Sequence, residues 1–221
     1  MGLVWKWCRS HYDRARSDNY TEYYLRHTKR GNDPRSLVGP LDTWEQTLEW
    51  QKSQLFDRIE VKPDDRVLDV GCGIFRAGLP LLEFLDEGKY YGCDISERAL
   101  EAGRERLKNN GVNPARAGRI WQNEDLRFQD VPEIDIVWSQ SVVTHLPREQ
   151  AREFFSSLDQ LLSDDGEAWI SYYRGEVHKP KFQTVNFRYT VEELNEMAGS
   201  RTVVDVDPMD HPNGLDLLVV R

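Results

Sequence analysis

The stretch that decides the fold is Arg66-Val67-Leu68-Asp69-Val70-Gly71-Cys72-Gly73. Its first five residues are a short, mostly branched apolar run, which predicts a strand. Gly71 and Gly73 follow at once. Glycines there let the backbone take positive φ and come close to a ligand. Leu79, Leu81, Leu82 and Leu85 then mark the apolar face of a helix. A strand thus enters a glycine turn that opens a helix.

The same alternation continues outward. Tyr90 to Cys93 reads as a second strand, and Ser96 as the N-cap of a helix carrying Ala99, Leu100 and Leu107. Arg119 to Gln122 and Ile134 to Trp138 read as the third and fourth strands. Pro147 suits the first turn of a helix whose buried face is Ala151, Phe154, Phe155, Leu158, Leu161 and Leu162. Asp164-Asp165-Gly166 is expected to end it. Ala168 to Tyr173 is a fifth strand. Thr190 caps a short helix through Met197, and Thr202 to Val206 and Leu215 to Val220 are the last two strands. Strands alternating with helices imply an α/β fold, a doubly wound, mostly parallel seven-stranded sheet with helices on both faces. The final link, about Pro212-Asn213-Gly214, is short enough to permit only an antiparallel pair. An antiparallel last strand separates this sheet from the fully parallel dinucleotide fold.

The chain divides near residue 62. Residues 1–61 are expected to be a helical cap or lid segment, with helices around 9–29 and 42–60 split by Gly31-Asn32-Asp33-Pro34 and Gly39-Pro40. Leu41, Trp44, Leu48, Leu55 and Ile59 recur at helical spacing in the second. Residues 62–221 are expected to form the α/β domain. Phe75 stands two positions after Gly73, where its side chain is expected to crowd a dinucleotide pyrophosphate. Gly78 is expected to supply close helix–strand packing.

The formal net charge is −9 over 221 residues, which opposes nucleic-acid binding. Arg14, Arg16, Arg26, Lys29 and Arg30 are the best basic cluster, and a solvated helix face accounts for them. No apolar run approaches the ~20 residues of a membrane span, and Met1 to Cys8 lacks the pattern of a signal peptide. Three cysteines, Cys8, Cys72 and Cys93, give neither a disulfide framework nor a zinc site. No metal is expected, and a reducing, cytoplasmic setting is.

Four loop tips carry the candidate chemistry, all at carboxyl ends of strands, where open α/β sheets bind ligands. Asp94 lies 23 residues after Gly71, a place from which a carboxylate accepts ribose hydroxyls. Asp125, after the third strand, is a candidate acceptor for an adenine amino group, with Glu124 and Asp130 as competitors. Ser139 and Gln140 follow the fourth strand. Cys72 reads as a small turn residue beside the ligand.

Residues 66–146 resemble the core of the class I, Rossmann-like S-adenosylmethionine-dependent methyltransferases. Leu68 to Gly73 is similar to that family's first motif, Tyr91 to Ser96 to its second and Asp135 to Pro147 to its fourth. The resemblance implies S-adenosylmethionine as cofactor. Gly71 and Gly73 would pass close to its methionine part, Asp94 would hold the ribose and Asp125 would meet the adenine. Asp69, Cys72, Ile95, Leu126, Ser139 and Gln140 complete the expected cofactor set.

On the acceptor side, His145 is the candidate general base, since its titration range suits that task. Its alternative role is to orient the Thr144–Pro147 turn. Tyr20 and Tyr24, among the N-terminal aromatics, together with Tyr173, His178 and His211, are the candidate substrate residues. Tyr172 and Tyr173 alternate on a strand, so at most one faces the pocket, and Tyr173 is favoured. The base-methylating Asn/Asp-Pro-Pro-Tyr/Phe turn is replaced by Ser139-Gln140-Ser141-Val142. The paired glutamates of the protein-arginine type and the carboxylates of the magnesium-dependent catechol type are absent there too. A small-molecule acceptor with an O or N nucleophile is what remains. The competing readings are an NAD-dependent oxidoreductase and a non-catalytic, cofactor-binding partner subunit.

Overall fold

A computed structural model describes residues 20–28, 33–175 and 186–221. Its sheet has seven strands: β1 (Val67–Val70), β2 (Tyr90–Asp94), β3 (Arg119–Gln122), β4 (Ile134–Ser139), β5 (Leu162–Tyr172), β6 (Val203–Val206) and β7 (Asp216–Val220). They lie in the order β3-β2-β1-β4-β5-β7-β6. The first five pair in parallel, while β7 runs antiparallel to both β5 and β6. The expected mostly parallel sheet with an antiparallel last strand is therefore what forms. Strand order reverses between β1 and β4, the switch point where such sheets leave a crevice.

The helices are α1 (Tyr20–Thr28), α2 (Trp44–Lys52), α3 (Gly78–Phe84), α4 (Glu97–Asn109), α5 (Arg148–Leu161) and α6 (Val191–Met197). Their ends follow local chemistry. The Ser96 side chain accepts the Ala99 backbone N–H and starts α4. Thr190 and Glu193 form a reciprocal capping box on α6. Every residue of β1 is buried, as a strand covered on both faces requires. One core packs α5, through Phe154, Phe155 and Leu158, against Tyr172 and Tyr189. A second joins Trp50, Leu55, Leu81, Leu100, Trp138 and Trp169, and a small third joins Leu37, Trp44, Ile74 and Ala99. Residues from the N-terminal segment thus share a core with the sheet, and Trp50 Nε1 donates to the Pro208 carbonyl at 2.6 Å.

Four local expectations are corrected. Pro147 is the N-cap of α5, one residue before its first turn. Leu162 has extended backbone and begins β5, which continues through Asp164-Asp165-Gly166. Gly166 makes that path feasible, because a Cβ there would stand 2.7 Å from the Ile134 carbonyl oxygen. Leu41 precedes α2 and is 46% exposed. The second N-terminal helix is not one continuous α-helix, since α2 passes into a π-helical turn, Ser53–Arg58.

Phe75 is corrected as well. It adopts φ 58, is fully buried, and packs its ring against Tyr90 with centroids 6.2 Å apart. A Cβ on Gly103 would meet that ring at 2.5 Å, and one on Gly78 would meet the Tyr90 hydroxyl at 2.4 Å. Two glycines thus hollow a slot behind the turn, and Phe75 fills it. The ring does not enter the ligand crevice, so strand order, not Phe75, separates this fold from the dinucleotide type. The close packing expected of Gly78 is present.

Cys8, Tyr12, Arg14, Arg16, Lys29, Arg30, Gly31, Asn32 and His178 lie outside the described residues. Among the described residues, no helix is long and apolar enough to cross a membrane.

Candidate active site

A cleft of about 670 Å³ opens at the carboxyl ends of the central strands. That volume lies within the range of small-molecule sites. It has two ends and a floor.

At one end stand Asp94, the last residue of β2, and Ile95 after it, with Asn123, Glu124 and Leu126 after β3. Asp94 is buried. Its Oδ2 accepts the Gly73 backbone N–H at 3.0 Å and its Oδ1 that of Ser96 at 2.8 Å. The carboxylate thus braces the first two loop tips against each other. Gly71 and Gly73 take φ 74 and 55. A Cβ on Gly71 would meet Val142 Cγ2 at 2.4 Å, and one on Gly73 would meet Val38 Cγ1 at 2.2 Å. Glycine at both places lets those valines close onto the turn.

Asp125 does not join this end. Its side chain is 63% exposed, accepts the Arg127 backbone N–H at 3.1 Å and lies 3.9 Å from the Arg127 guanidinium. The cause is the turn that Asn123 organises. Asn123 Oδ1 accepts the Leu126 N–H at 2.8 Å, its Nδ2 donates to the Arg127 carbonyl, and Leu126 sits at φ 55. That geometry turns Asp125 outward and Leu126 inward. The carboxylate residue lining the cleft here is Glu124, which accepts from Gln122 Nε2 at 2.7 Å.

The floor is made by Asp69, Cys72, Arg76, Gln51, Trp138 and Gln140. Burial pushes the Asp69 carboxyl up to about 7, although the Tyr90 hydroxyl donates to its Oδ2 at 2.9 Å. Burial also pushes the Cys72 thiol up, which keeps it protonated and poorly nucleophilic. Ser139 does not line the cleft. It is fully buried beneath it, and Ser141 stands in the lining instead.

The other end carries Tyr20, Tyr24, His145, Gln150, Tyr173 and Asn186. The Tyr20 hydroxyl donates to the His145 carbonyl at 2.9 Å, and the Tyr24 and His145 rings lie 5.1 Å apart. Burial pushes the Tyr20 hydroxyl up, so it remains a donor. Tyr172 is wholly buried while Tyr173 faces the cleft, as their alternation predicts.

His211 stands behind this lining rather than in it. Its Nδ1 accepts the Asn213 backbone N–H at 3.0 Å, its Nε2 lies 3.2 Å from the Gln140 amide, and its ring meets Trp50 edge-on at 4.3 Å. Burial lowers its pKa to about 4, so it is neutral at ordinary pH. With Nδ1 accepting, its proton is on Nε2, and the Gln140 amide is best satisfied with its oxygen turned to that proton. His211 is therefore not among the residues lining the acceptor end. Lining residues that sequence reasoning did not single out include Gln51, Arg76, Trp138, Gln150 and Asn186, while Glu124 stood there only as a competitor of Asp125.

Residues 68–168 match the family described as a methyltransferase domain. The match covers β1 into β5, and the strand order around it is that of the class I, S-adenosylmethionine-dependent methyltransferase fold. The chain is 27% identical over 126 residues to methyltransferase GfsG of Streptomyces halstedii, covering 54% of this chain and 43% of that protein. It is 28% identical over 121 residues to tRNA N(3)-methylcytidine methyltransferase trm141 of Schizosaccharomyces pombe, covering 53% and 48%. The chain thus spans less than half the length of these two relatives. In fold it is similar to magnesium protoporphyrin IX methyltransferase of Synechocystis, with a TM-score of 0.58, 17% identity and coverage of 100% of this chain and 91% of that one.

The cofactor of this class is S-adenosylmethionine, and the residues present fit it. A buried carboxylate and a glycine turn adjoin at one end. Along the floor, three buried side-chain atoms have no hydrogen-bond partner among the described residues: Gln51 Oε1, Arg76 Nε and Trp138 Nε1. A polar ligand in the cleft would satisfy them.

Proposed function

We propose that the chain is an S-adenosylmethionine-dependent methyltransferase that moves a methyl group to an oxygen or nitrogen of a small-molecule acceptor. One observation carries the reading. A single cleft of about 670 Å³ is lined both by Asp94 and Glu124 and by the aromatic residues Tyr20, Tyr24, His145 and Tyr173. A polar and an aromatic lining in one cavity suit a reaction between two bound molecules.

S-adenosylmethionine supplies, when bound, a methyl carbon activated by a sulfonium. The protein's work is alignment and the exclusion of water. Asp94 would accept the ribose hydroxyls through lone pairs left free by its two backbone contacts. Leu126 and Ile95 would flank the base, with Glu124 or Asn123 taking the role first given to Asp125. Asp69, at the floor, would face the positive end of the cofactor. Tyr20 and Tyr24 present aromatic faces, which suit a cationic sulfonium and a planar acceptor. His145 would take the proton from an acceptor hydroxyl as it attacks. Tyr20 holds the His145 backbone from α1, so the N-terminal segment would serve as a cap that completes the acceptor end.

The formal charge of −9 favours a small acceptor over nucleic acid. The test is formation of S-adenosylhomocysteine from S-adenosylmethionine with separate panels of phenols and alcohols, amines, transfer RNA and protein. Turnover confined to hydroxyl or amine metabolites is expected. Turnover on transfer RNA or protein alone would overturn the acceptor class. Cofactor binding with no turnover on any panel would favour the non-catalytic partner reading.

A further inference from the structure

His211 is a buried titratable group that no step of the proposed reaction uses. Met209 and Asp210 before it take φ 50 and 57, so two consecutive non-glycine residues stand in the left-handed region. Such backbone persists only where the surrounding structure holds it, and it clusters at functional sites. The N-terminal segment holds it here. Trp50 Nε1 donates to the Pro208 carbonyl, and the Arg58 guanidinium donates to the Asp207 carbonyl. The outcome is a histidine turned inward, its ring edge-on to Trp50.

Each ring nitrogen of His211 meets a partner. Nδ1 accepts the Asn213 backbone N–H at 3.0 Å, which leaves the proton on Nε2. Nε2 lies 3.2 Å from the Gln140 carboxamide, so the Gln140 oxygen is the atom turned to that proton. The Asn213 side chain is fixed in turn, accepting from the Thr43 hydroxyl at 3.0 Å and donating to that of Thr47 at 3.4 Å. A chain of contacts thus runs from the start of α2 through Asn213 and His211 to Gln140. Gln140 is half-buried and lines the cleft. The far end of its carboxamide has no partner among the described residues, and it is not one of the wholly buried atoms that lack one. With the oxygen turned to His211, that open end is the NH₂ group, an uncharged donor presented to the cleft.

We propose that Gln140 is a specificity-determining residue that reads a carbonyl oxygen on the methyl acceptor, and that His211 is the positioning residue that keeps the Gln140 NH₂ group turned to the cleft. The proposal rests on the methyltransferase reading and names a feature of the acceptor which that reading leaves open. The lining continues from Gln140 through Ser141 and Val142 to His145, so Gln140 belongs to the wall that leads to the acceptor end, apart from Asp94 and Glu124. A site built to hydrogen-bond a substrate group rejects an analogue lacking that group, because its own polar atoms are then left unpaired. A neutral carbonyl suits the place better than a carboxylate. Among the described residues, Asp69, Asp94 and Glu124 line the same cleft against the guanidinium of Arg76. Tyr20, Tyr24 and Tyr173 in that lining suit an aromatic ring to carry the carbonyl.

The test compares the hydroxyacetophenones with the matching ethylphenols, which keep the ring and the hydroxyl and replace the carbonyl by CH₂. Calorimetric titration is run on the full chain loaded with S-adenosylhomocysteine. The wild type should bind at least one hydroxyacetophenone about tenfold tighter than its ethylphenol. Gln140→Glu still accepts the His211 proton but offers the cleft an oxygen, and should erase that ratio. His211→Phe frees the carboxamide to turn and should cut the ratio about threefold, whereas a merely structural role would weaken both probes alike and leave the ratio unchanged. If His211→Phe does not fold, the long-range proton–nitrogen spectrum of the wild-type histidines decides: His211 in the Nε2–H form is expected, and the Nδ1–H form would overturn the positioning role. Equal wild-type affinity for the two probe classes, binding of neither, or an unchanged ratio in Gln140→Glu would overturn the proposal and leave the cofactor reading intact. Loss of S-adenosylhomocysteine itself in Gln140→Glu would assign Gln140 to the cofactor and overturn the proposal too. A wild-type protein that does not bind S-adenosylhomocysteine would overturn the methyltransferase reading, and the proposal with it.

Discussion

Asp94 Oδ2 accepts the Gly73 backbone N–H at 3.0 Å, so one carboxylate ties the turn after β1 to the end of β2. Its other oxygen takes the Ser96 N–H, which also fixes the start of α4. The residue that would hold the ribose is therefore the residue that shapes its own site. Asp94→Ala should weaken S-adenosylhomocysteine binding by more than about tenfold, since a charge-assisted hydrogen bond contributes ~1.5–3 kcal/mol. It should also lower the stability of the ligand-free protein, by about 1–3 kcal/mol for each buried N–H left unpaired. Titration calorimetry reads the first effect and urea unfolding the second. Unchanged affinity would refute the ribose role, whatever happens to stability.

Asp69 makes stability depend on pH in an unusual direction. Burial raises its folded pKa to about 7, from the ordinary carboxylate value of 3.8. The folded state therefore holds a proton that the unfolded state has released, and stability falls as pH rises through that window. The group costs most above pH 7 and nothing below pH 4. Asp69→Asn can still accept from the Tyr90 hydroxyl and should stabilise the ligand-free protein at pH 8, by up to about 4 kcal/mol. The gain should vanish near pH 4. Urea unfolding at both pH values checks this. A gain of equal size at both would mean that Asp69 is not protonated by burial. In the proposed complex the sulfonium and ammonium would draw the Asp69 pKa down, so cofactor binding near pH 6 should release a proton, seen as a buffer-dependent binding enthalpy.

The sheet was legible because strand runs and link lengths are local properties. Gly71, Gly73 and Asp94 were legible because each stands at a strand end, where topology alone sets its place. Asp125 was misread because side-chain direction there depends on Asn123 bonding Leu126 and on Leu126 adopting φ 55, and no residue-type preference announces either. Phe75 was misread for a related reason: the slot it fills is made by Gly78 and by Gly103, the latter 28 residues away. Gln51 did leave a signal. Trp44, Leu48, Gln51 and Leu55 share one helical face, so a polar residue stands in an apolar stripe. Arg76 and Trp138 left none, because lacking a partner is a tertiary property.

The acceptor end makes a kinetic prediction. His145→Ala should lower turnover while sparing S-adenosylhomocysteine affinity, since a general base contributes roughly 10²–10⁴-fold to rate. Tyr20→Phe keeps the ring and removes the hydroxyl that donates to the His145 carbonyl. It should lower turnover less than His145→Ala, because it loosens the turn without removing the imidazole. Turnover and cofactor affinity measured on both variants separate the roles. Wild-type turnover in His145→Ala would remove it as the base.

Gly103 faces the Phe75 ring, so its substitution probes packing alone. A Cβ there would stand 2.5 Å from Phe75 Cδ2, 2.6 Å from its Cε2 and 3.0 Å from the Ile74 Cα. Two of those atoms belong to a fully buried ring already held between Tyr90 and α4, and the third is backbone, so the neighbours have little room to give. Gly103→Ala should gain about 1 kcal/mol from helix propensity in α4 and lose about 1–3 kcal/mol to overpacking. The balance should be destabilising. Phe75→Leu in the same chain should recover part of that loss, because a smaller side chain frees the space that the new methyl needs, whereas Phe75→Leu alone should destabilise by leaving a void. A double-mutant cycle by urea unfolding measures the coupling. Additive effects in that cycle would mean that the Phe75 ring does not occupy the Gly103 slot.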